Sequence, residues 1–358
     1  MSFGDCLYAT TIARQIKKDY PDCHLTWAIG SMCRSVVDGN PYIDDIWEIP
    51  LHSSAKKAET WFLFKEDAKQ RKKRGDFDEV FFTQIDPENL QNYDGAVRSS
   101  IFRAYPHPIT VPISPIMRLS PEEISHVQRF AKTHRLSDMK QVVLFECSPK
   151  SGQSPLTPAF AAEVSQKLIS YHPDMAIILS SDLSIQTDDR RIIDGSVLSF
   201  RENAALTNYC TLLIGCSSGI SWLCTSDMCK PLPMVQLISS KAQWFASFIH
   251  DFQYWGLDVE HIIEMSDCPA EGLFACVNTI IVHGFKQAKT EFHQKIAVSF
   301  TGFRRILITL LDDNAYKKAH GFVRMYFKKY GLNPNLFLNL LYGLWRHASR
   351  RCLSRLKI

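Results

Sequence analysis

The sequence predicts an α/β protein of mostly parallel sheets, arranged as two Rossmann-like doubly wound halves with an α-helical basic extension at the C-terminus. Three observations carry this expectation. Short apolar runs alternate with helical segments along most of the chain, which is the pattern of repeated strand–helix–strand units. Prolines 106, 108, 112 and 115 interrupt that alternation once, as a linker near a domain boundary would. The 358 residues, 46% hydrophobic and 22% charged, suffice for two globular domains at roughly 100–200 residues each. The expected divisions are residues 1–120, 121–285 and 286–358.

Each element follows from local pattern. Gly4-Asp5 reads as a glycine turn feeding a helix, because Tyr8, Ile12, Ile16 and Tyr20 recur every four residues. His24 to Gly30 is a short apolar strand ending in glycine, Ser31 to Asp38 a short helix, and Ile43 to Ile49 a second strand. Thr60 to Arg74 is a helix closing in a basic turn, and Val80-Phe81-Phe82 a strand. Pro121-Glu122-Glu123 opens a helix with Ser120 as its cap. The second series starts with the strand Gln141 to Phe145 and the polar loop SPKSGQSPLTP. A helix to Tyr171, the strand MAIILSS, the short strand SVLSF and a helix over Glu202 to Tyr209 follow. The strand TLLIG, the loop CSSG and its helix come next, and the strand Pro233 to Ile238 closes the series.

In doubly wound sheets ligands bind outside the carboxyl ends of the strands. Three segments fall at that edge: Gly4-Asp5, Ser148-Pro149-Lys150-Ser151-Gly152 and Cys216-Ser217-Ser218-Gly219. The last follows a strand and opens a helix, so its amides and hydroxyls can hold a phosphate at the helix's positive end, with Lys150 adding a point charge. The plainer reading makes Ser-Ser-Gly an ordinary helix cap and Lys150 a solvated surface charge. Asp5 is either a helix cap or a general base facing a cleft, where a carboxylate takes a proton from a hydroxyl. Asp76-Phe77-Asp78 has the spacing of a metal-diphosphate site, but it precedes its strand and reads as a surface turn. Eleven cysteines at irregular spacing, most of them inside apolar segments, read as reduced and buried. With neither Cys-x-x-Cys nor His-x-x-x-His, no structural zinc is expected.

The stretch GDCLYATTIARQIKKDYPDCHLTWAIG, with VVDGNPYIDDIWEIP after it, resembles the N-terminal domain of the heptosyltransferase-like glycosyltransferases, glycosyltransferase family nine. SPKSGQS and LLIGCSSGISWL fall where that family has its two nucleotide-diphosphate loops, so the resemblance spans about residues 3 to 240. It implies the GT-B architecture, with the active site in a cleft between two Rossmann-like domains, the first facing the acceptor and the second the donor. It also implies inverting, metal-independent transfer of a sugar from a nucleotide diphosphate to a hydroxyl, the donor being a substrate and no cofactor being required. On this resemblance Asp5 is the base, and Gly4, Ser148, Lys150, Ser151, Ser217, Ser218 and Gly219 bind the donor. Many members carry Asp before the Ser/Thr-Gly of the second loop and His three residues beyond the Gly; here Ser217 and Trp222 stand there, so no particular donor sugar, heptose included, follows. Members also begin with an apolar strand before Gly-Asp. Only Met1, Ser2 and Phe3 precede it here, so a missing first strand is expected, from an upstream start or from loss.

Charge is concentrated at the end of the chain. Residues 301–358 hold twelve Lys/Arg against Asp312 and Asp313, about +10, while the whole chain is +4. Apolar and aromatic residues alternate with these basic ones, which suits helices lying on an anionic membrane surface. Core packing is the alternative for the apolar face, and nucleic acid is the weaker rival for the charge. No long apolar span occurs, and no basic segment followed by an apolar stretch opens the chain. The expected location is therefore the cytoplasm, peripheral to the inner face of the membrane. Together these readings predict a glycosyltransferase acting on a cell-surface glycan or lipid-linked acceptor. The alternatives are an inactive GT-B-like binding or scaffold protein and a nucleotide-sugar epimerase.

Overall fold

The computed structural model describes residues 3–51, 57–149, 152–242 and 247–355. They fall in two compact units, one drawn from Met1–Val80, Ile109–Ala242 and Ser247–Ile296, the other from Phe81–Pro108 and Ala297–Ile358.

The first unit opens with α1 (Phe3–Asp19), followed by a parallel pair of strands, β1 (Thr26–Gly30) and β2 (Asp45–Ile49), which a 3-10 helix over Ser31–Val37 connects. Helix α2 (Lys57–Arg74) comes next; α3 (Val97–Phe102) belongs to the second unit. Helix α4 (Pro121–Thr133) leads into a larger sheet through β3 (Gln141–Glu146), α5 (Pro158–Tyr171), β4 (Met175–Ser180) and β5 (Ile192–Asp194). The chain continues through α6 (Glu202–Leu206), β6 (Leu212–Gly215), α7 (Gly219–Leu223), β7 (Met234–Ile238), α8 (Phe248–Tyr254) and β8 (Ile262–Ser266), then α9 (Ala270–His283) and α10 (Phe285–Phe292). All neighbours in this sheet run parallel, in the order β5-β4-β3-β6-β7-β8. That is the doubly wound order 3-2-1-4-5-6, and it reverses between β3 and β6. A parallel sheet is covered on both faces, so its strands are apolar runs and not alternating ones. Every residue of β4 and β7 is buried accordingly. Phe145, Ile177, Leu179 and Val235 pack with Leu168 of α5 and Leu273 of α9 in one core.

Helix α1 differs from the amphipathic expectation. Tyr8, Ile12 and Ile16 are buried as expected, but so are Cys6, Leu7, Ala9, Thr10, Thr11, Ala13 and Gln15, while Tyr20 lies beyond the helix and is exposed. A helix buried all round is a core element. Part of its cover is the proline-bearing segment read as a linker. Gln15 Oε1 accepts from the amides of Thr110 and Val111 at 2.7 and 3.1 Å, Thr10 Oγ1 accepts from Ile116 N at 2.9 Å, and Thr11 Oγ1 donates to Ser114 O at 3.2 Å. Gly4 and Asp5 lie in the helix's first turn, so the expected glycine turn is not one.

Three further expectations change. SVLSF is not a strand, because Ser199 and Glu202 make reciprocal capping contacts: Glu202 N donates to Ser199 Oγ at 3.3 Å and Ser199 N donates to Glu202 Oε2 at 2.7 Å. The strand comes earlier, at β5. Val80-Phe81-Phe82 is not a strand either, and the Phe82 and Gln84 carbonyls accept from Asn89 Nδ2 at 2.6 and 2.9 Å in place of a ladder partner. Nor does the series close at β7, since β8 pairs beyond it.

The second unit joins α3 to α11 (Thr301–Asp312), α12 (Tyr316–Tyr330) and α13 (Pro334–Arg355). Tyr93, Phe303, Leu307, Phe322 and Tyr326 form its core, with the Phe303 and Phe322 rings stacked at 5.3 Å. Beside it the buried Asp94 carboxylate accepts from Arg103 at 2.6 Å, Ser99 at 2.7 Å and Lys329 at 3.0 Å. Burial would raise its pKa, but these donors outweigh burial and hold it below the usual carboxylate range. Among the described residues no helix is long and apolar enough to cross a membrane.

Candidate functional site

The order reversal of the large sheet puts the loops after β3 and β6 side by side, which is where a doubly wound sheet leaves a crevice. Two of the three nominated segments leave the sheet there. The third, the first turn of α1, packs onto α7. Tyr8 meets the Trp222 ring edge-on at 4.7 Å, and Trp222 stacks on Phe248 at 3.6 Å. Phe3 stacks on Phe200 at 4.6 Å. A side chain at Gly219 would place its Cβ 3.1 Å from the Phe200 ring and 3.6 Å from Phe3 Cβ, so Gly219 allows this close approach. Gly4 is buried and its own Cβ would sit 3.4 Å from Trp222, while Asp5 is partly exposed one residue further on.

At the base of the crevice stands Glu146, the last residue of β3, buried at 3% exposure. Its Oε2 accepts from the amides of Cys216 and Ser221, each at 3.2 Å, and from Ser221 Oγ at 2.5 Å; its Oε1 accepts from Ile220 N at 3.0 Å. Gln236 of β7, fully buried, accepts from Ser217 N at 2.8 Å through Oε1. They take up the amides of Cys216 and Ser217, two of the four in the loop expected to face a phosphate. Ser218 and Gly219 contribute no amide to either of them. Ser217 is buried and left-handed, with φ +52°, a conformation uncommon outside glycine. Ser218 is the residue before α7, and its side chain makes no cap hydrogen bond. Packing here is close: a Cβ on Gly215 would lie 2.1 Å from Ser221 Oγ.

On the β3 side, Ser148 Oγ donates to Asp182 Oδ1 at 2.6 Å. Lys150 and Ser151 lie outside the described residues. Cys147 and Cys216 flank Glu146 and remain thiols. Burial, with the carboxylate's field second, pushes Cys147 up to about 12, and the same two causes raise Cys216 well above its ordinary value. Neither is a thiolate nucleophile at neutral pH.

Beside Phe200 a groove of about 730 Å³ opens, lined by the 3-10 helix after β1, by Arg118 to Ser120 and Glu123 at the start of α4, and by Ser199 to Arg201. Arg201 is its buried wall. The guanidinium donates to Glu123 at 2.6 and 3.0 Å, to the carbonyls of Ser35 and Asp38 at 2.7 and 3.0 Å, and to the Arg118 carbonyl.

No protein-family model matches the sequence, and no curated protein matches it. Solved structures do. A glycosyl transferase family 9 structure from Veillonella parvula superposes with a TM-score of 0.52 at 16% identity, over 87% of this chain and 95% of that one. The E. coli ADP-heptose LPS heptosyltransferase II superposes with a TM-score of 0.50 at 13% identity, over 79% of this chain and 97% of that one. The fold is that of these family 9 glycosyltransferases.

Within the family 9 fold, the sequence reading named the loops at the switch point but missed the side chains that fill its floor. Glu146 and Gln236 were the available signals: a carboxylate ending the apolar run QVVLFE, and an amide inside the buried run MVQLI. A polar group in an otherwise buried strand needs a partner, and here the partners are the backbone of the loop that leads into α7. Trp222 is an aromatic core residue, stacked on Phe248 and met edge-on by Tyr8.

Proposed function

We propose that the protein is a glycosyltransferase that moves a sugar from a nucleotide-diphosphate donor to a hydroxyl of a cell-surface glycan or lipid-linked acceptor. The observation that carries this reading is the family 9 fold over most of the chain. The order reversal between β3 and β6, where such a sheet takes its ligand, supports it. In this reading residues 1–120 face the acceptor, 121–285 hold the donor and 286–358 are the basic extension. Asp5 takes the proton of the acceptor hydroxyl as it attacks the anomeric carbon with inversion. Ser148, Lys150, Ser151, Ser217, Ser218 and Gly219, with Gly4 nearby, stabilise the departing diphosphate without a metal. The groove beside Phe200 is part of the substrate cleft. The E. coli protein is an ADP-heptose LPS heptosyltransferase. We carry over its class of donor and its lipid-linked glycan acceptor but not heptose, because Ser217 stands where many members have Asp. The work is done at the cytoplasmic face of the membrane.

A second reading, a GT-B-like binding or scaffold protein, is favoured by one observation: Glu146 and Gln236 already occupy the amides of Cys216, Ser217, Ile220 and Ser221. Release of free nucleoside diphosphate from a panel of nucleotide sugars separates the readings. A transferase releases it only with acceptor present and loses at least a hundredfold in rate on Asp5→Asn. An epimerase converts donor without acceptor, and a scaffold does neither.

A further inference from the structure

We propose that the outward face of α13 docks on an anionic lipid bilayer. The second unit uses the apolar faces of α11 and α12 in its own core, where Phe303, Ile306 and Leu310 meet Phe322 and Tyr326. Helix α13 is different. It packs on α11 through Leu336, which is fully buried, and Gly343, where a Cβ would come within 3.0 Å of Leu307. The side away from this contact carries Phe337, Leu338, Leu341, Tyr342, Leu344 and Trp345, each 43–61% exposed. Their spacing of one, four, five, seven and eight residues from Phe337 collects them on one helical stripe. Six large apolar side chains side by side form a contiguous patch of the kind that marks an interaction site, unlike single exposed residues.

What covers the patch follows from its charge. Residues 301–358 carry twelve Lys/Arg against two Asp. Arg346 is exposed one residue after Trp345, and the Arg304 guanidinium lies over the Tyr342 ring, 4.8 Å from its centre. A second copy would bring like charge against like charge, whereas an anionic bilayer offers the opposite sign together with an apolar layer beneath it. Tyr342 and Trp345 suit the boundary between the two, having apolar rings and polar tips. Helix α13 therefore lies in the interface plane, with the leucines and Phe337 inserted and Arg304 and Arg346 at the headgroups. This inference is independent of the transferase reading, and an inactive protein would dock equally.

Vesicle flotation with the full chain tests it. The expected result is capture by phosphatidylglycerol–phosphatidylcholine vesicles, little capture by phosphatidylcholine alone, and release at roughly 0.5 M salt, where the field is screened. Leu341→Glu/Trp345→Glu should lower the partition coefficient at least tenfold with an unchanged melting curve, and Arg346→Glu should lower it several-fold. If the double Glu variant does not fold, Leu341→Ser/Trp345→Ser is read in its place, with the same expected direction. Absence of binding to phosphatidylglycerol vesicles overturns the proposal, as does undiminished binding by the stripe variant. So does a dimer in sedimentation velocity that the stripe variant dissociates, which would assign the face to a second copy.

Discussion

Two buried carboxylates show how strongly environment decides what a side chain does. Glu146 accepts four hydrogen bonds, three of them from main-chain amides. Glu146→Gln keeps the shape but turns an NH2 group toward N–H donors. The expected loss is about 2–3 kcal/mol in urea unfolding, the range for stranding buried polar groups. Glu264, in β8, is buried as well. Burial raises its pKa to about 7, and the hydrogen bonds from Ser247 Oγ and Ile249 N only partly oppose that. The folded state thus holds a proton that the unfolded chain releases above its ordinary value of 4.5. Its contribution to stability is full below about pH 4.5 and is lost as pH rises through about 7, a change on the order of 3 kcal/mol. Glu264→Gln should abolish that slope in melts taken across the same window. The partners were not legible in the sequence: Glu146 meets Cys216 N across 70 positions and Glu264 meets Ser247 across 17, and a polar residue in an apolar run says only that it needs some partner.

At the scale of elements, the sequence was legible where local physics agreed with the fold. Ser120 was read as a cap, and it forms a full capping box with Glu123 ahead of α4. Ser120→Ala should cost about 1 kcal/mol in thermal unfolding without moving the spectroscopic helix content by more than a turn. The strands β3, β4, β6 and β7 were read from their apolar runs, since burial on both faces removes the polar alternation. Short β5 and β8 were missed: three residues give β5 little signal, and Glu264 interrupts β8. Where a side chain supplied the backbone's partner, the pattern misled, as with Asn89 at Phe82 and Glu202 at Ser199. The four-residue spacing in α1 fixed its helical state but not its burial, which depends on residues 110–116 lying against it.

For the whole molecule, the α/β class and the parallel sheets were legible, and solved family 9 structures share the fold. Composition could not show that 81–108 and 297–358 share a unit, because Asp94 and Lys329 pair across 235 positions. In the proposed function the β3–β6 crevice takes a nucleotide-diphosphate donor. The most direct test is the melting temperature of wild type and Lys150→Ala with UDP, GDP, ADP and CDP at millimolar concentration. The expected result is a rise selective for one base that shrinks in the variant; a ligand at ~100 times its Kd stabilises by about 2.7 kcal/mol. No rise with any of the four would overturn that reading.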